Sequence, residues 1–289
     1  MFSKIAIIGV GLLGGSVGLA VRRTWSACRV VGIGRNATTL ETAKQIGAVH
    51  EFSLSITDGT AGCELIVVCT PVGSIAEHVI LAAEGAKPQA KHTAQTVSPI
   101  ITDVGSTKQW ICETLEKRFP LANNCRFLGG HPIAGSEKNG VAAASETLFN
   151  NRAVVLTPTA STFPETTKAL RRFWESLGAN VICLNAEEHD RLLARTSHLP
   201  HAVSAALAKI SDYKIYGELC GSGFQSVSRL AAGSPEIWLD IFLSNRDALL
   251  SSLNDFDQSC RQLRNALENN DASAILQFLN DARKNVSPL

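Results

Sequence analysis

One segment constrains this chain more than any other: Gly9-Val10-Gly11-Leu12-Leu13-Gly14, lying between the apolar run Ile5-Ala6-Ile7-Ile8 and a stretch of helical spacing at 14–24. A G-x-G-x-x-G string means little alone. Here it has a strand before it, a helix after it, and a second apolar run, Val30-Val31, ending about twenty residues on, which is the context of a dinucleotide-binding βαβ turn. Gly9 permits the tight bend, Gly11 lets a pyrophosphate approach the backbone, and Gly14 lets helix and strand pack closely. Leu12 and Leu13 open the helix whose N-terminal amides face the phosphates.

The same alternation continues. Leu65-Ile66-Val67-Val68, Ile100-Ile101, Phe127-Leu128 and Ala153-Val154-Val155-Leu156 are short β-rich runs bounded by Gly, Pro, Asp or Thr, with helical spacing at 38–46 and 106–118. Such runs read as buried parallel strands, and the pattern predicts an α/β fold with a doubly wound parallel sheet of Rossmann type. Pro164 to Leu177 adds one more helix and Val181-Ile182-Cys183-Leu184 a last strand. After residue 185 the β signal stops. Asn185, with Glu188 three positions later, is a capping box opening a long helix that Pro200 should kink or break. Ser234-Pro235-Glu236 opens another helix. The spacing of Leu249, Leu253, Phe256, Cys260, Leu263 and Leu267 is a heptad seam, suited to a bundle core or a subunit interface. Two domains are therefore expected, 1–184 binding the dinucleotide and 185–289 an all-helical substrate and dimerisation domain.

Composition excludes several function classes. With a formal net charge of +1, the chain lacks the broad basic footprint that binds nucleic acid or a membrane surface. No apolar run reaches transmembrane length, and Met1-Phe2-Ser3-Lys4 leads straight into a strand, leaving no room for a signal peptide. A cytoplasmic location is expected. The eight cysteines form no C-x-x-C pair and none lies at ligand spacing from another cysteine or a histidine, which points to reduced, mostly buried thiols and no metal site.

At the end of the second strand an NAD site usually offers Asp or Glu to the ribose hydroxyls. This chain reads Gly32-Ile33-Gly34-Arg35-Asn36. A guanidinium there can pair with a 2′-phosphate that a carboxylate would repel, so Arg35 favours NADP, with NAD as the alternative. Arg35 is also compatible with a solvated loop charge stacking on adenine.

The reacting groups of such a sheet lie beyond the carboxyl ends of its strands. Thr70-Pro71-Val72, Asp103-Val104-Gly105-Ser106-Thr107-Lys108 and Gly129-Gly130-His131-Pro132-Ile133-Ala134-Gly135-Ser136-Glu137 all sit there. Thr70, Pro71 and Asp103 are assigned to the cofactor side. His131, just past a strand end and held by rigid backbone, suits the transfer of a hydroxyl proton during hydride transfer. Ser106 is placed to fix its tautomer or to touch the same substrate oxygen. From position alone, a lone histidine in a loop is more often structural than catalytic.

These segments, together with S-H-L-P-H at 197–201 and G-S-G-F…S-R-L-A at 221–231, make the chain resemble the prephenate/arogenate dehydrogenase family over nearly its whole length. The resemblance implies oxidative decarboxylation of prephenate to 4-hydroxyphenylpyruvate, or of arogenate to tyrosine, by a homodimer formed through the C-terminal helices. It makes His131 the catalytic histidine assisted by Ser106, and Arg229 the arginine that binds the ring carboxylate. It places Ser136 and Glu137 in the substrate site, His198 and His201 in its far wall, and Trp238 near the pocket. Some relatives carry an acid three residues before the arginine; here that position is Ser226. No mutase or ACT regulatory segment is recognised, so a stand-alone dehydrogenase is expected.

Two other readings compete. A β-hydroxyacid dehydrogenase would depend on a lysine of the helical half, for which Lys209 and Lys214 carry no matching motif. A non-catalytic NADP-binding dimer would not require His131, Ser106 and Arg229 together.

Overall fold

The computed structural model describes residues 2–86, 89–90, 96–118, 125–134, 139–211 and 217–286. The N-terminal half runs β1 (Lys4–Ile8), α1 (Leu12–Thr24), β2 (Arg29–Ile33), α2 (Ala37–Gln45), β3 (Glu51–Ser53), α3 (Ile56–Thr60), β4 (Leu65–Val68) and α4 (Val72–Gly85). A two-stranded pair, β5 (Gln89–Ala90) and β6 (Thr96–Val97), precedes β7 (Ile100–Asp103), α5 (Gln109–Arg118), β8 (Arg126–Pro132), β9 (Ala153–Thr157), α6 (Pro164–Ser176) and β10 (Asn180–Cys183). The main sheet has the order β10-β9-β8-β7-β4-β1-β2-β3. The chain winds outward from β1 to β3, then crosses back to β4, so the switch point opens between β1 and β4 at the glycine turn.

The apolar runs are continuous because both faces of the sheet are covered. Ile5 and Ile7 point to one face with Val17 and Val21 of α1 and Phe173 and Trp174 of α6; Ala6 and Ile8 point to the other with Ile75 and Val79 of α4 and Ile111 and Leu115 of α5. Each buried Ile, Val, Leu or Phe among them contributes about 1.5–3 kcal/mol on burial. Helix starts follow from their caps: Asn36 accepts from Thr39 N, Ser55 from Asp58 N and Asn185 from Glu188 N.

Two strands of the main sheet, β9 and β10, depart from the all-parallel expectation. β9 pairs antiparallel with β8, and β10 parallel with β9. The described part of the β8–β9 link holds only a 3₁₀ turn, Val141–Ala143, so no crossover helix carries the chain back to its starting end. β10 is then an edge strand, which leaves Cys183 exposed rather than buried as the sequence suggested. All eight cysteines are free.

The C-terminal half is helical: α7 (Ala186–Leu193), α8 (Leu199–Ile210), α9 (Ser222–Ser228), α10 (Pro235–Ser244), α11 (Arg246–Glu268) and α12 (Ala272–Lys284). Pro200 does not break the helix. A π-helical turn, Ala194–His198, joins α7 to α8 and widens the ladder where the proline lacks an N–H and crowds the preceding turn. The heptad seam is no internal core. Leu249 is buried at its start, but Phe256 is 39% and Leu267 56% exposed, leaving an apolar stripe along α11. Among the described residues no helix is long and apolar enough to cross a membrane.

Candidate active site

The glycine turn is shaped for a pyrophosphate. Gly9 has φ +88° and donates its N–H to Ile33 O at 2.8 Å, fixing the turn against the end of β2. A Cβ at Gly14 would lie 2.2 Å from Gly9 O, whereas one at Gly11 would meet nothing within 4 Å, the open side where a ligand can approach. The α1 N-terminus has no side-chain cap and no acid in its first turn, so its amides are left for an anion. Leu12 and Leu13 occupy that first turn. Arg35 is exposed just beyond β2, and its charge, with burial as the larger cause, lowers the pKa of His78. Thr70 shares a 2.8 Å hydrogen bond with His78, and Pro71 caps α4. These residues fit a nicotinamide dinucleotide.

Asp103 does something other than its expected cofactor role. Its side chain is fully buried and ion-paired with Lys108 Nζ. Oδ2 accepts Gly105 N–H at 2.8 Å and Oδ1 accepts Gly130 N–H at 3.1 Å. Both oxygens are engaged inside the protein, so this carboxylate clamps the β7–α5 turn to β8 instead of facing a nucleotide.

That clamp sets His131. β8 leaves its parallel partner after Leu128 and continues in an antiparallel ladder with β9, where His131 pairs with Val155. His131 is thus inside the strand, past the end of β7, rather than in the following loop. Its Nδ1 lies 2.8 Å from Nε2 of His189, whose Nδ1 lies 2.7 Å from Asp190 Oδ1. Asp190 in turn accepts the N–H groups of Lys108 and Gln109 at the start of α5. Burial first, then the neighbouring His189, Lys108 and His198, holds the His131 imidazole well below its usual range. It is a neutral base at pH 7. The holding of Nδ1, which the sequence offered to Ser106, therefore belongs to His189. Ser106 stays in the adjoining turn, half-buried, between Gly105 held by Asp103 and Thr107, whose hydroxyl meets Ser244 Oγ at 2.9 Å.

α8 and α10 supply the facing wall. His201 stacks on Trp238 with ring centroids 3.5 Å apart, and His198 meets the same indole edge-on at 6.2 Å. Burial pulls His198 down to about 4, against the attraction of Asp190. Its Nδ1 lies 3.0 Å from Asn245 Nδ2. Arg229 begins a 3₁₀ turn, Arg229–Ala232, fastened to α8 on both sides: Ser204 Oγ donates to Val227 O and accepts from Ala231 N. Asp240 of α10 accepts Gly73 N–H at 3.2 Å, so the Trp238 helix is tied to the start of α4. Ser136 and Glu137, expected in the site, lie outside the described residues, as does Lys214. Lys209 is exposed near the end of α8.

His189, Asp190, Lys108 and Asn245 were missed in sequence. The signal available for the first two was their adjacency as a polar pair, His189-Asp190, which the fold makes the buried residues of α7.

Residues 17–183 match the family model "Prephenate dehydrogenase, nucleotide-binding domain", and residues 185–281 match "Prephenate dehydrogenase, dimerization domain". The cyclohexadienyl dehydrogenase of Zymomonas mobilis is 32% identical over 98% of this chain and 95% of its own. Among solved structures, prephenate dehydrogenase from A. aeolicus, in complex with hydroxyphenyl propionate and NAD+, superimposes with a TM-score of 0.87 at 28% identity, covering 98% and 96% of the two chains. Synechocystis arogenate dehydrogenase gives 0.79 at 31% identity, covering 97% and 98%.

Proposed function

The chain belongs to the prephenate dehydrogenase family, and from that premise we propose that it oxidatively decarboxylates prephenate or arogenate in tyrosine biosynthesis, with His131 as proton acceptor. The observation that carries the reading is a buried, neutral imidazole held rigidly between the β8–β9 ladder and His189, with His198 close by.

When bound, a nicotinamide dinucleotide supplies the hydride acceptor. His131 Nε2 takes the ring hydroxyl proton as the carbinol carbon gives up hydride, and Ser106 contacts the same oxygen. Arg229 holds the ring carboxylate in a bidentate grip that lysine cannot reproduce. That carboxylate leaves as carbon dioxide, and its bonding pair aromatises the ring. His198, His201 and Trp238 form the far wall, with Ser136 and Glu137 completing the substrate site. The protein's part is to align hydroxyl, hydride and carboxylate in a site shielded from water.

We assign NADP as the preferred cofactor on the strength of Arg35, exposed at the end of β2 where no acid stands. Residues 1–184 and 185–289 are read as the two domains, the second pairing two copies through the apolar stripe of α11. The test is initial rate on a grid of prephenate or arogenate with NADP or NAD. A rate in any well that collapses in His131→Ala supports the assignment. Silence in all four wells from folded, nucleotide-binding protein overturns it.

A further inference from the structure

We infer that His189 and Asp190 are positioning residues that decide which nitrogen of His131 bears the proton, and that Asn245 decides the opposite for His198. This rests on the reading of His131 as proton acceptor.

Asp190 is the start of the chain of tautomers. Its Oδ1 accepts Lys108 N–H at 2.7 Å and its Oδ2 accepts Gln109 N–H at 2.9 Å. A carboxylate has only acceptor capacity to offer, so His189 Nδ1, 2.7 Å from Oδ1, carries a proton and donates it. A neutral imidazole protonated at Nδ1 has a lone pair at Nε2. His131 Nδ1, 2.8 Å from that lone pair, is therefore the donor. With its proton at Nδ1, His131 keeps Nε2 bare, the form that can receive a hydroxyl proton.

At His198 the order reverses. Asn245 Nδ2 donates to the Asp190 carbonyl at 2.8 Å, which identifies it as the amide nitrogen, and it also meets His198 Nδ1 at 3.0 Å. His198 Nδ1 is then the acceptor and its Nε2 bears the proton. One residue anchors both results, Asp190 through its carboxylate to His189 and through its carbonyl to Asn245. Two buried imidazoles, the second close enough to disfavour protonation of the first, are thus held as one acceptor and one donor. That pairing suits a substrate with a hydroxyl to deprotonate and an oxygen anion to hold. The charged and titratable groups around His131 are His189, Lys108 and His198, with Asp190 behind the first and Asp103 paired to the second.

The test is the tautomer itself, read from imidazole nitrogen signals of the full chain labelled with ¹⁵N-histidine near pH 7.5. His131 and His198 are assigned by the signals lost in His131→Ala and His198→Ala. The expected spectrum has His131 protonated at Nδ1 and His198 at Nε2. His189→Leu, which removes the acceptor, should drive His131 to a mixture of forms and lower kcat about 10–100-fold with nucleotide KM unchanged. In His189→Gln an amide oxygen replaces the lone pair and should restore both the tautomer and most of kcat. A wild-type His131 protonated at Nε2, or a folded His189→Leu with unaltered His131 signals, overturns the inference; if His189→Leu does not fold, the wild-type spectrum decides. The signals are read without turnover, so a chain silent toward both substrates but showing the Nδ1–H form would sink the catalytic reading while the tautomer assignment stood.

Discussion

His131 Nδ1 and His189 Nε2 lie 2.8 Å apart, a hydrogen bond that joins the last residues of a sheet strand to the first helix after the sheet. The proposed base is therefore held by both halves of the chain, one through the β8–β9 ladder and the other through α7. An imidazole held this way has little freedom to re-orient, and its burial keeps it unprotonated until well below the usual imidazole range.

His131→Ala should lower kcat by about 10²–10⁴-fold and leave nucleotide affinity within about twofold. Because the working form is neutral, activity falls as pH drops through the His131 pKa, which lies below the ordinary 6.5. The acid limb of kcat in the wild type is thus expected below pH 6.5; a limb centred at 7 or above would contradict the buried environment.

Stability should fall with acid for a related reason. His198 titrates at about 4 in the folded protein and near the ordinary 6.5 when unfolded, so the unfolded chain binds the extra proton first. This contribution is fully present above pH 6.5 and is lost as pH falls toward 4, a difference of about 3 kcal/mol. Buried His131 acts in the same direction. Urea midpoints measured from pH 7.5 to 4.5 should decline, and His198→Gln should flatten the slope. An unchanged slope in a folded variant would place the acid sensitivity elsewhere.

Removing one partner of the buried Asp103–Lys108 pair strands the other. Asp103→Asn should cost about 3–5 kcal/mol of stability by denaturant titration. Lys108→Met combined with Asp103→Asn should recover part of that loss, since no unpaired charge remains. Equal stability of wild type and Asp103→Asn would mean the clamp between β7 and β8 is not set by this pair.

Arg35→Ala should raise KM for NADP about 10–100-fold, the value of a charge-assisted bond to a 2′-phosphate, while KM for NAD changes little. Equal effects on both cofactors would instead fit an arginine stacking on adenine.

Phe256→Glu with Leu267→Glu places charge on the exposed stripe of α11. Light scattering on the eluting peak should show a dimer for the wild type and a monomer for the double variant. A wild-type monomer, or a dimer indifferent to both charges, would remove this stripe from the interface.

Much of the fold was legible from residues 1–184 because its signals are local. Apolar runs of strand length and the Gly9 to Gly14 turn act over a few residues, where steric and hydrogen-bonding rules operate on neighbours in the chain, as does the cap at Asn185 that opens the next domain. The glycines and prolines around His131 marked it as a candidate, and its catalytic assignment came from the resemblance to the family. Only the tertiary structure decided what holds it. His131 and His189 are 58 residues apart, and Asp190 reaches across 82 residues to Lys108. No local rule relates such positions, because a hydrogen bond between them exists only after β8 and α7 have packed. For the same reason Asp103 read as a cofactor ligand by its place at a strand end, yet became a buried clamp once Lys108 folded back on it. The π turn at Pro200 and the antiparallel entry of β9 likewise depend on where the chain must go next, which packing alone dictates.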